Sequence, residues 1–419
     1  MLNDSAKMTG AFYRNRPQTG LLLAVCMVVP LVFGSGARAE KKYDTGASDT
    51  EIKIGQTMPY SGPVSAFSVL SRVMNGYFKM LNEKGGVNHR KINFVSVDDS
   101  YNPSKTVEQT RRLVEDEGVL AIFAPLGTPT SLAVRKYLNQ KKIPQLLVLS
   151  SSSQWNNPAE FPYSTSLFLG ADQESDGVAR YILANKPNGK IGVLYQNDDY
   201  GKDYLKGLKA GLADKASMIV SEQAYNASDA TIDQQMVSLK YSGADVFVNA
   251  TTGKFSAMSI RKAAELQWNA LQIVTASSIS LKNVLQPAGL DNAKGVVADI
   301  LYKDPTDPQI QNDKDVQAYF AFMKEALPNE DAKDTNSVVG YVTAQLVAHI
   351  LEKCGDDLTH DNVLKQATTL QNPPLGMLAE GVTINNSPDN YLPFGTALRV
   401  VFDGTKWVTV GPPIKLKGK

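Results

Sequence analysis

Residues 118–155 constrain the fold most, because they have the pattern of a strand, a loop, a helix, a second strand and a loop of four serines. Residues 118–124 form a continuous apolar run that is followed by a proline, which is typical of a strand buried on both faces of a parallel sheet. Pro129 and the apolar residues after it predict a helix that begins near Thr128. Residues 145–149 predict the next buried strand. The stretch therefore predicts one βαβ unit of an α/β sheet.

The loops after these two strands carry groups that suit a small anion. Ligands bind at the carboxyl ends of the strands in open α/β sheets. A helix that begins near Thr128 offers unpaired N–H groups and a partial positive charge, and residues 150–153 offer four hydroxyls. These N–H groups and hydroxyls together suit a carboxylate. The alternative is that Thr128 is only an N-cap and that the serines only form a polar turn.

The same alternation of strands and helices extends over most of the chain. Strands are predicted at residues 51–57, 91–97, 190–195, 217–223, 245–249 and 272–275. Repeated alternation with short loops predicts parallel sheets that helices cover on both faces. Because one such sheet rarely exceeds a domain of moderate size, we expect two lobes. After residue 302 helices dominate, until Asp403-Gly404 joins two late strands in a predicted hairpin.

The beginning of the chain has the pattern of an export signal. Three cationic residues precede an apolar stretch over residues 21–33, and Ala37-Arg38-Ala39 matches a cleavage site. Residues 1–39 therefore predict a secretory signal peptide, and we expect a periplasmic protein. Residues 40–50 are polar and lack periodicity, which predicts a flexible lead-in.

Composition excludes several classes of function. The 43 Lys and Arg residues nearly balance the 42 Asp and Glu residues, so the sequence has no excess of positive charge that would attract a nucleic acid. Beyond the signal peptide the sequence has one cysteine, Cys354, and no internal disulfide is expected. With three histidines and no motif of a metalloprotease, a serine hydrolase or a phosphate loop in this region, we predict neither an enzyme nor a cofactor or metal site.

Several segments resemble, in order, the periplasmic substrate-binding proteins of the branched-chain amino acid type, which feed ABC importers. The segments are Ile52-Lys-Ile-Gly55 with Ser61-Gly-Pro63, Asn82-Glu-Lys-Gly-Gly-Val87, Asp98-Asp99 with Asn102-Pro103, the loop at Gly127, the serine loop after Pro144, Asp198-Asp-Tyr-Gly-Lys202 and Ala244-Asp-Val-Phe-Val248. The resemblance covers nearly the whole chain beyond the signal peptide. It implies a type I periplasmic binding fold, in which two Rossmann-like lobes with parallel sheets close on a ligand by hinge motion.

The resemblance also implies how the chain is divided. The N-terminal lobe is expected to contain residues 51–168 and 300–384, and the C-terminal lobe residues 169–299 and 385–419. Three segments are expected to cross between the lobes, near residues 167–171, 297–302 and 385–394.

Seven ligand-binding positions follow from the resemblance: Phe67, Thr128, Ser150, Ser152, Tyr200, Thr251 and Ser277. Phe67 corresponds to an aromatic wall, and Thr128 to the hydroxyl beside a helix N-terminus. Ser150 and Ser152 correspond to the pair that holds the ligand carboxylate. Tyr200 and either Thr251 or its neighbour Thr252 correspond to contacts from the second lobe.

Two departures from the family pattern bear on the ligand. Amino-acid-binding relatives have an acidic partner for the ligand ammonium where this chain has Ser277. Without that carboxylate a buried ammonium would be poorly paired. The second departure is Thr251, which stands where relatives place a second aromatic residue. Apart from these two, the relatives' disulfide in the first lobe is missing, because Tyr101 and Gly127 occupy its positions.

The resemblance therefore implies the periplasmic solute-binding component of an ABC importer. We expect a monomer that captures a carboxylate-bearing small molecule, either an amino acid or an aromatic or other organic acid, and delivers it to a permease in the inner membrane. The alternative is a ligand-sensing periplasmic protein that presents the bound molecule to a signalling partner. Genes for a permease and an ATPase beside this one would distinguish the importer.

Overall fold

The computed structural model describes residues 41–418, and the predicted signal peptide lies outside the described residues. The strands are β1 (Lys42–Tyr43), β2 (Glu51–Met58), β3 (Lys91–Asp98), β4 (Ile122–Phe123), β5 (Gln145–Val148), β6 (Ser164–Ser166), β7 (Ile191–Gln196), β8 (Ile219–Tyr225), β9 (Val246–Ala250), β10 (Leu271–Val274), β11 (Val297–Ile300), β12 (Asp357–Leu358), β13 (Thr396–Phe402), β14 (Trp407–Thr409) and β15 (Ile414–Lys415). The helices are α1 (Ser68–Glu83), α2 (Pro103–Arg111), α3 (Thr128–Gln140), α4 (Ala171–Asn185), α5 (Asp199–Leu212), α6 (Asp233–Tyr241), α7 (Lys254–Glu265), α8 (Gln286–Ala288), α9 (Leu290–Ala293), α10 (Lys314–Ala326), α11 (Thr335–Cys354) and α12 (His360–Ala367). No helix within residues 41–418 is long and apolar enough to cross a membrane.

Two largely parallel sheets organise the chain, as the sequence predicts. The first has the order β3-β2-β4-β5-β6 and is parallel throughout. The second is parallel from β8 through β7, β9 and β10 to β11, and β13, β14 and β15 extend it in antiparallel pairing. In each sheet the strand order switches direction beside the first strand, at β2 and at β7. Crevices at such switch points are where α/β sheets bind ligands.

The chain passes between the two sheets three times. It leaves the first sheet after β6, returns after β11 to place α10 and α11 against α1, and leaves again to form β13. The crossing segments expected near residues 167–171, 297–302 and 385–394 stay a prediction, and residues 297–300 of the second belong to β11 itself. The exact lobe boundaries stay a prediction.

Close packing of α1 against α11 depends on a glycine. A Cβ atom at Gly340 would lie 2.7 Å from the backbone oxygen of Leu70, which is closer than carbon and oxygen approach. Most side chains of α11 are buried, among them Val338, Val342 and Leu346. The start of α11 is therefore held in a fixed position beside the first sheet.

The lead-in predicted to be flexible is ordered from residue 42 onwards. β1 pairs in parallel with β12, and Arg90 donates a hydrogen bond of 2.6 Å to the Tyr43 hydroxyl. The backbone N–H of His360, 316 residues away in sequence, donates to the Asp44 carboxylate at 2.7 Å. These partners are 47 to 316 residues away in sequence, and a local sequence pattern gives no information about them.

Candidate functional site

A cavity, here called the first chamber, lies between the carboxyl ends of the two sheets. It contains about 460 Å³ of space free of atoms, part of which is open to solvent. The loops after strands β2 to β6 form one side, and the loops after β7, β9 and β10 form the other. Its lining consists of Val64, Phe67, Tyr101, Leu126, Gly127, Thr128, Leu149, Ser150, Ser151, Phe168, Gln196, Tyr200, Thr252 and Ser277. The structure therefore brings together five predicted site residues: Phe67, Thr128, Ser150, Tyr200 and Ser277.

The N-terminus of α3 forms part of the wall of this chamber. Gly127 occupies the N-cap position with a φ of 103°, a conformation that favours glycine. Thr128 is therefore the first helical residue and not the predicted N-cap, and its hydroxyl makes no capping bond. A Cβ atom at Gly127 would lie 2.4 Å from the ring of Tyr101. The two positions at which the resemblance implies a disulfide thus hold a ring packed against a glycine backbone.

The hydroxyls of Thr128 and Ser150 form one hydrogen-bonded unit, with 2.6 Å between their oxygens. Ser150 Oγ also accepts a hydrogen bond of 2.8 Å from the indole N–H of Trp155 and one of 3.3 Å from the backbone N–H of Ser152. Because two donors already occupy this oxygen, Ser150 donates its own proton to Thr128. The proton of the Thr128 hydroxyl then remains for a ligand in the chamber.

Ser152 lies outside the lining, and Ser151 takes the place predicted for it. The Ser152 hydroxyl accepts a hydrogen bond from the backbone N–H of Gln154 at 3.3 Å and caps the 3-10 helix Ser153–Trp155. This helix turns the chain immediately after the strand loop. The capping role accounts for the position of Ser152.

A hydrogen-bonded network around Gln196 forms the wall from the second lobe. The Gln196 side-chain oxygen accepts from the hydroxyls of Tyr225 at 3.0 Å and Thr252 at 3.1 Å. Its amide nitrogen donates to Asp198 at 2.5 Å and to the Tyr101 hydroxyl at 3.4 Å. The last of these bonds joins the two lobes across the chamber.

Thr251 also lies outside the lining, and its neighbour Thr252 faces the chamber. The Thr251 hydroxyl is fully buried inside the second lobe, where it donates to Asn249 at 2.6 Å and lies 2.7 Å from the hydroxyl of Ser256. These internal partners determine its orientation. The predicted contact is therefore corrected to the alternative residue, Thr252.

Tyr200 reaches the chamber from the first turn of α5. Asp198 caps this helix by accepting from the backbone N–H of Gly201 at 3.2 Å. Burial raises the pKa of Tyr200 and that of Tyr101, and nearby carboxylates add to both shifts. Both phenols therefore stay neutral hydrogen-bonding groups at neutral pH.

No charged side chain within residues 41–418 lines the first chamber. The Ser277 hydroxyl lies 2.9 Å from that of Thr275. Behind this loop, Glu174 accepts a hydrogen bond of 2.6 Å from the backbone N–H of Ala276 but does not reach the lining. Burial, and then the charge of Asp299, raise the pKa of Glu174 to about 8. A ligand ammonium would therefore meet no carboxylate on these walls.

Direct contacts join the two lobes beside the chamber. The Asp203 carboxylate accepts from the backbone N–H of Ser153 at 2.5 Å and from its hydroxyl at 2.8 Å. On another side, the Asp334 carboxylate accepts from the Ser280 hydroxyl at 2.8 Å and from the Asn283 amide at 2.7 Å. The structure therefore has the lobes closed over the chamber.

Several lining residues were not predicted, although weak signals for three of them exist. Gln196 ends a predicted strand, and Tyr101 follows the Asp98-Asp99 pair that closes another. Phe168 lies in a predicted crossing segment. No group of three His, Cys, Asp or Glu residues in the described part of the chain could hold a metal ion.

A model of the periplasmic binding protein family matches residues 51–390. The chain belongs to this family. Among curated relatives of this periplasmic binding protein, Leu/Ile/Val-binding protein homolog 3 from Brucella melitensis is 24% identical over 230 residues, 54% of this chain and 58% of the relative. Homolog 7 from Brucella suis is 22% identical over 381 residues, 87% of this chain and 92% of the relative. The predicted branched-chain amino acid type is thereby confirmed.

Solved structures share the fold of this periplasmic binding protein. A branched chain amino acid ABC transporter from Thermus thermophilus with bound valine has a TM-score of 0.78 at 15% identity, covering 87% of this chain and 97% of that one. An ABC transporter solute binding protein from R. palustris in complex with benzoate has a TM-score of 0.72 at 18% identity, covering 87% and 98%. At these identities the likeness shows the fold alone.

Proposed function

We propose that this periplasmic binding protein is the solute-binding component of an ABC importer and captures a small carboxylate-bearing molecule between two closing lobes. The proposal rests on the Thr128 hydroxyl at the N-terminus of α3, whose proton remains available to a ligand because Ser150 donates to its oxygen. Hydroxyl donors and the positive end of a helix suit a carboxylate, and Phe67, Leu126 and Phe168 offer apolar surface to the rest of the ligand.

The ligand class comprises amino acids and aromatic or other organic acids. Valine and benzoate, bound by two proteins of the same fold, share a carboxylate and differ in the ammonium group. Because the chamber lining holds no carboxylate for an ammonium, acids without an amino group are favoured. The ligand is bound and released without chemical change.

Delivery requires the lobes to open. Opening breaks the bonds that Ser153 and Asp203 make across the cleft, and a ligand that contacts both lobes shifts the balance towards the closed state. We propose that the protein acts as a periplasmic monomer, exported by a signal peptide over residues 1–39, and that an inner-membrane permease receives the ligand.

A thermal-shift screen of residues 40–419 tests this proposal with matched compounds. Valine and 3-methylbutanoate differ by the ammonium group, and benzoate and benzamide differ by the charged carboxylate. A ligand at 100 times its Kd stabilises the folded state by about 2.7 kcal/mol, which raises Tm measurably. We expect Tm to rise with benzoate or 3-methylbutanoate and to stay constant with benzamide. The absence of a shift with every carboxylate, or an equal shift with benzamide, would overturn the proposal.

A further inference from the structure

A second chamber adjoins the first. It contains about 530 Å³ of space free of atoms, part of which is open to solvent, and shares four lining residues with the first chamber: Phe67, Ser151, Phe168 and Ser277. Its other walls are Leu169, Ala276, Ile279, Leu301, Tyr302, Thr335, Asn336 and Val339. A ligand held at Thr128 therefore has a second, mostly apolar space beside it, with two phenylalanine rings in the walls of both.

One buried polar group of the second chamber lacks a partner. Tyr302 is 6% exposed, and its hydroxyl makes no hydrogen bond within residues 41–418. Burying a hydroxyl without a partner is unfavourable, and buried polar groups are normally hydrogen-bonded. A polar group of a ligand in this chamber would remove that cost.

A second hydrogen-bonding group lies in the same wall. Asn336 is in the first turn of α11, and among the described residues its side-chain amide has no hydrogen bond. The Asp334 carboxylate is already engaged, because it accepts from Ser280, from Asn283 and from the backbone N–H of Asn336 at 3.1 Å. The hydrogen-bonding side chains of this chamber include the Tyr302 phenol, the Asn336 amide and the hydroxyls of Ser151 and Thr335, and all of them are uncharged.

The absence of charge limits what the second chamber can take. None of its lining residues within the described chain is acidic or basic. A second carboxylate or an ammonium would be desolvated there without a counterion, which is costly. A hydroxyl or carbonyl group pairs with a phenol or an amide at no such cost.

Building on the proposed function, we propose that the ligand is an elongated acid with a second, uncharged hydrogen-bonding group at the end opposite its carboxylate. The carboxylate binds at Thr128 in the first chamber, and the apolar body contacts Phe67 and Phe168. The distal group hydrogen-bonds to the Tyr302 hydroxyl and the Asn336 amide. Tyr302 and Asn336 thereby determine specificity.

Calorimetry with pairs of acids tests the proposal. The probes are benzoate, phenylacetate and 3-phenylpropanoate, each beside its para-hydroxylated counterpart. In at least one pair we expect the hydroxylated acid to bind about threefold to tenfold more tightly, the usual effect of one net hydrogen bond. Tyr302→Phe is expected to remove this preference.

Tyr204→Phe provides the matched control, because Tyr204 is buried, has an unpartnered hydroxyl in the described chain and lines neither chamber. This variant should keep the preference. Equal affinities within all three pairs, or a preference that survives Tyr302→Phe, would overturn the inference and leave the proposed function standing. If none of these acids and no other carboxylate binds, the proposed function fails as well.

Discussion

Thr128→Val tests the hydroxyl unit at the centre of the site. Valine keeps the branched shape of threonine and removes the hydroxyl. In the native protein Trp155 and Ser152 both donate to Ser150 Oγ, so Ser150 donates to Thr128 and leaves the Thr128 proton for the ligand. The variant loses this donor. It also leaves the Ser150 hydroxyl, which is 4% exposed, without its acceptor.

The two losses have separate magnitudes. A hydrogen bond to a charged group contributes about 1.5–3 kcal/mol, so the Kd for a carboxylate should rise roughly 10- to 100-fold. The unpaired Ser150 hydroxyl should lower the free energy of unfolding by about 1–3 kcal/mol. Calorimetry measures the first effect, and urea denaturation without ligand measures the second. The probe is the acid that gives the largest thermal shift.

Thr130→Val is the control in the same helix. The Thr130 hydroxyl is buried, donates to the backbone oxygen of Leu126 at 2.6 Å and does not line the first chamber. This variant should lose stability and keep its affinity. A native Kd in Thr128→Val, or an equal loss of affinity in Thr130→Val, would refute the argument that the Thr128 proton binds the carboxylate.

Three further variants test neighbouring features. Asp203→Asn removes the charge of the group that accepts two hydrogen bonds from Ser153, and it should raise the Kd for the carboxylate probe about threefold to tenfold. An unchanged Kd in calorimetry would contradict a role of Asp203 in closure. The pKa of Glu174 is about 8 in the folded state and about 4.3 in the unfolded state, so the folded state binds a proton more tightly. The free energy of unfolding should therefore fall as pH rises between these two values. Glu174→Gln should flatten that fall in urea titrations, and an unchanged slope would show that other groups cause it. Arg261 lines a groove outside Phe67 and makes no ion pair within residues 41–418, so Arg261→Gln should slow association of an acid at low salt. Stopped-flow rates with the native salt dependence would contradict this steering.

The sequence predicts the layers of the fold better than the limits of its elements. Short apolar runs that alternate with helical segments predict parallel sheets, because strands buried on both faces have that composition and that spacing. The strand predicted at residues 118–124 contains only Ile122–Phe123, since Ala124 has a φ of 52° and leaves the extended conformation. A left-handed alanine has no sequence signature.

Two predicted site residues are displaced by one position for reasons that lie beyond the local sequence. Strand ends predict which loop faces a ligand, but the direction of each side chain depends on how the loop turns. Ser152 turns away because it caps a 3-10 helix, and Thr251 turns inward because Asn249 and Ser256 bond its hydroxyl. The residues that line the chamber instead are their sequence neighbours, Ser151 and Thr252, which lie in the same predicted loops.

Contacts between the lobes could not be predicted from the sequence. One of them involves Tyr101, which occupies a position where the resemblance implies a disulfide cysteine. Tyr101 and Gln196 are 95 residues apart in sequence, and no pattern in either segment indicates the other. Gly127, which cannot form a disulfide, leaves the space that the Tyr101 ring fills. A disulfide would stabilise the first lobe alone, whereas the Tyr101 ring lines the chamber and its hydroxyl contacts the second lobe. At a position where the family resemblance implies a disulfide, this chain therefore has a side chain that lines the chamber and hydrogen-bonds to Gln196 on its opposite wall.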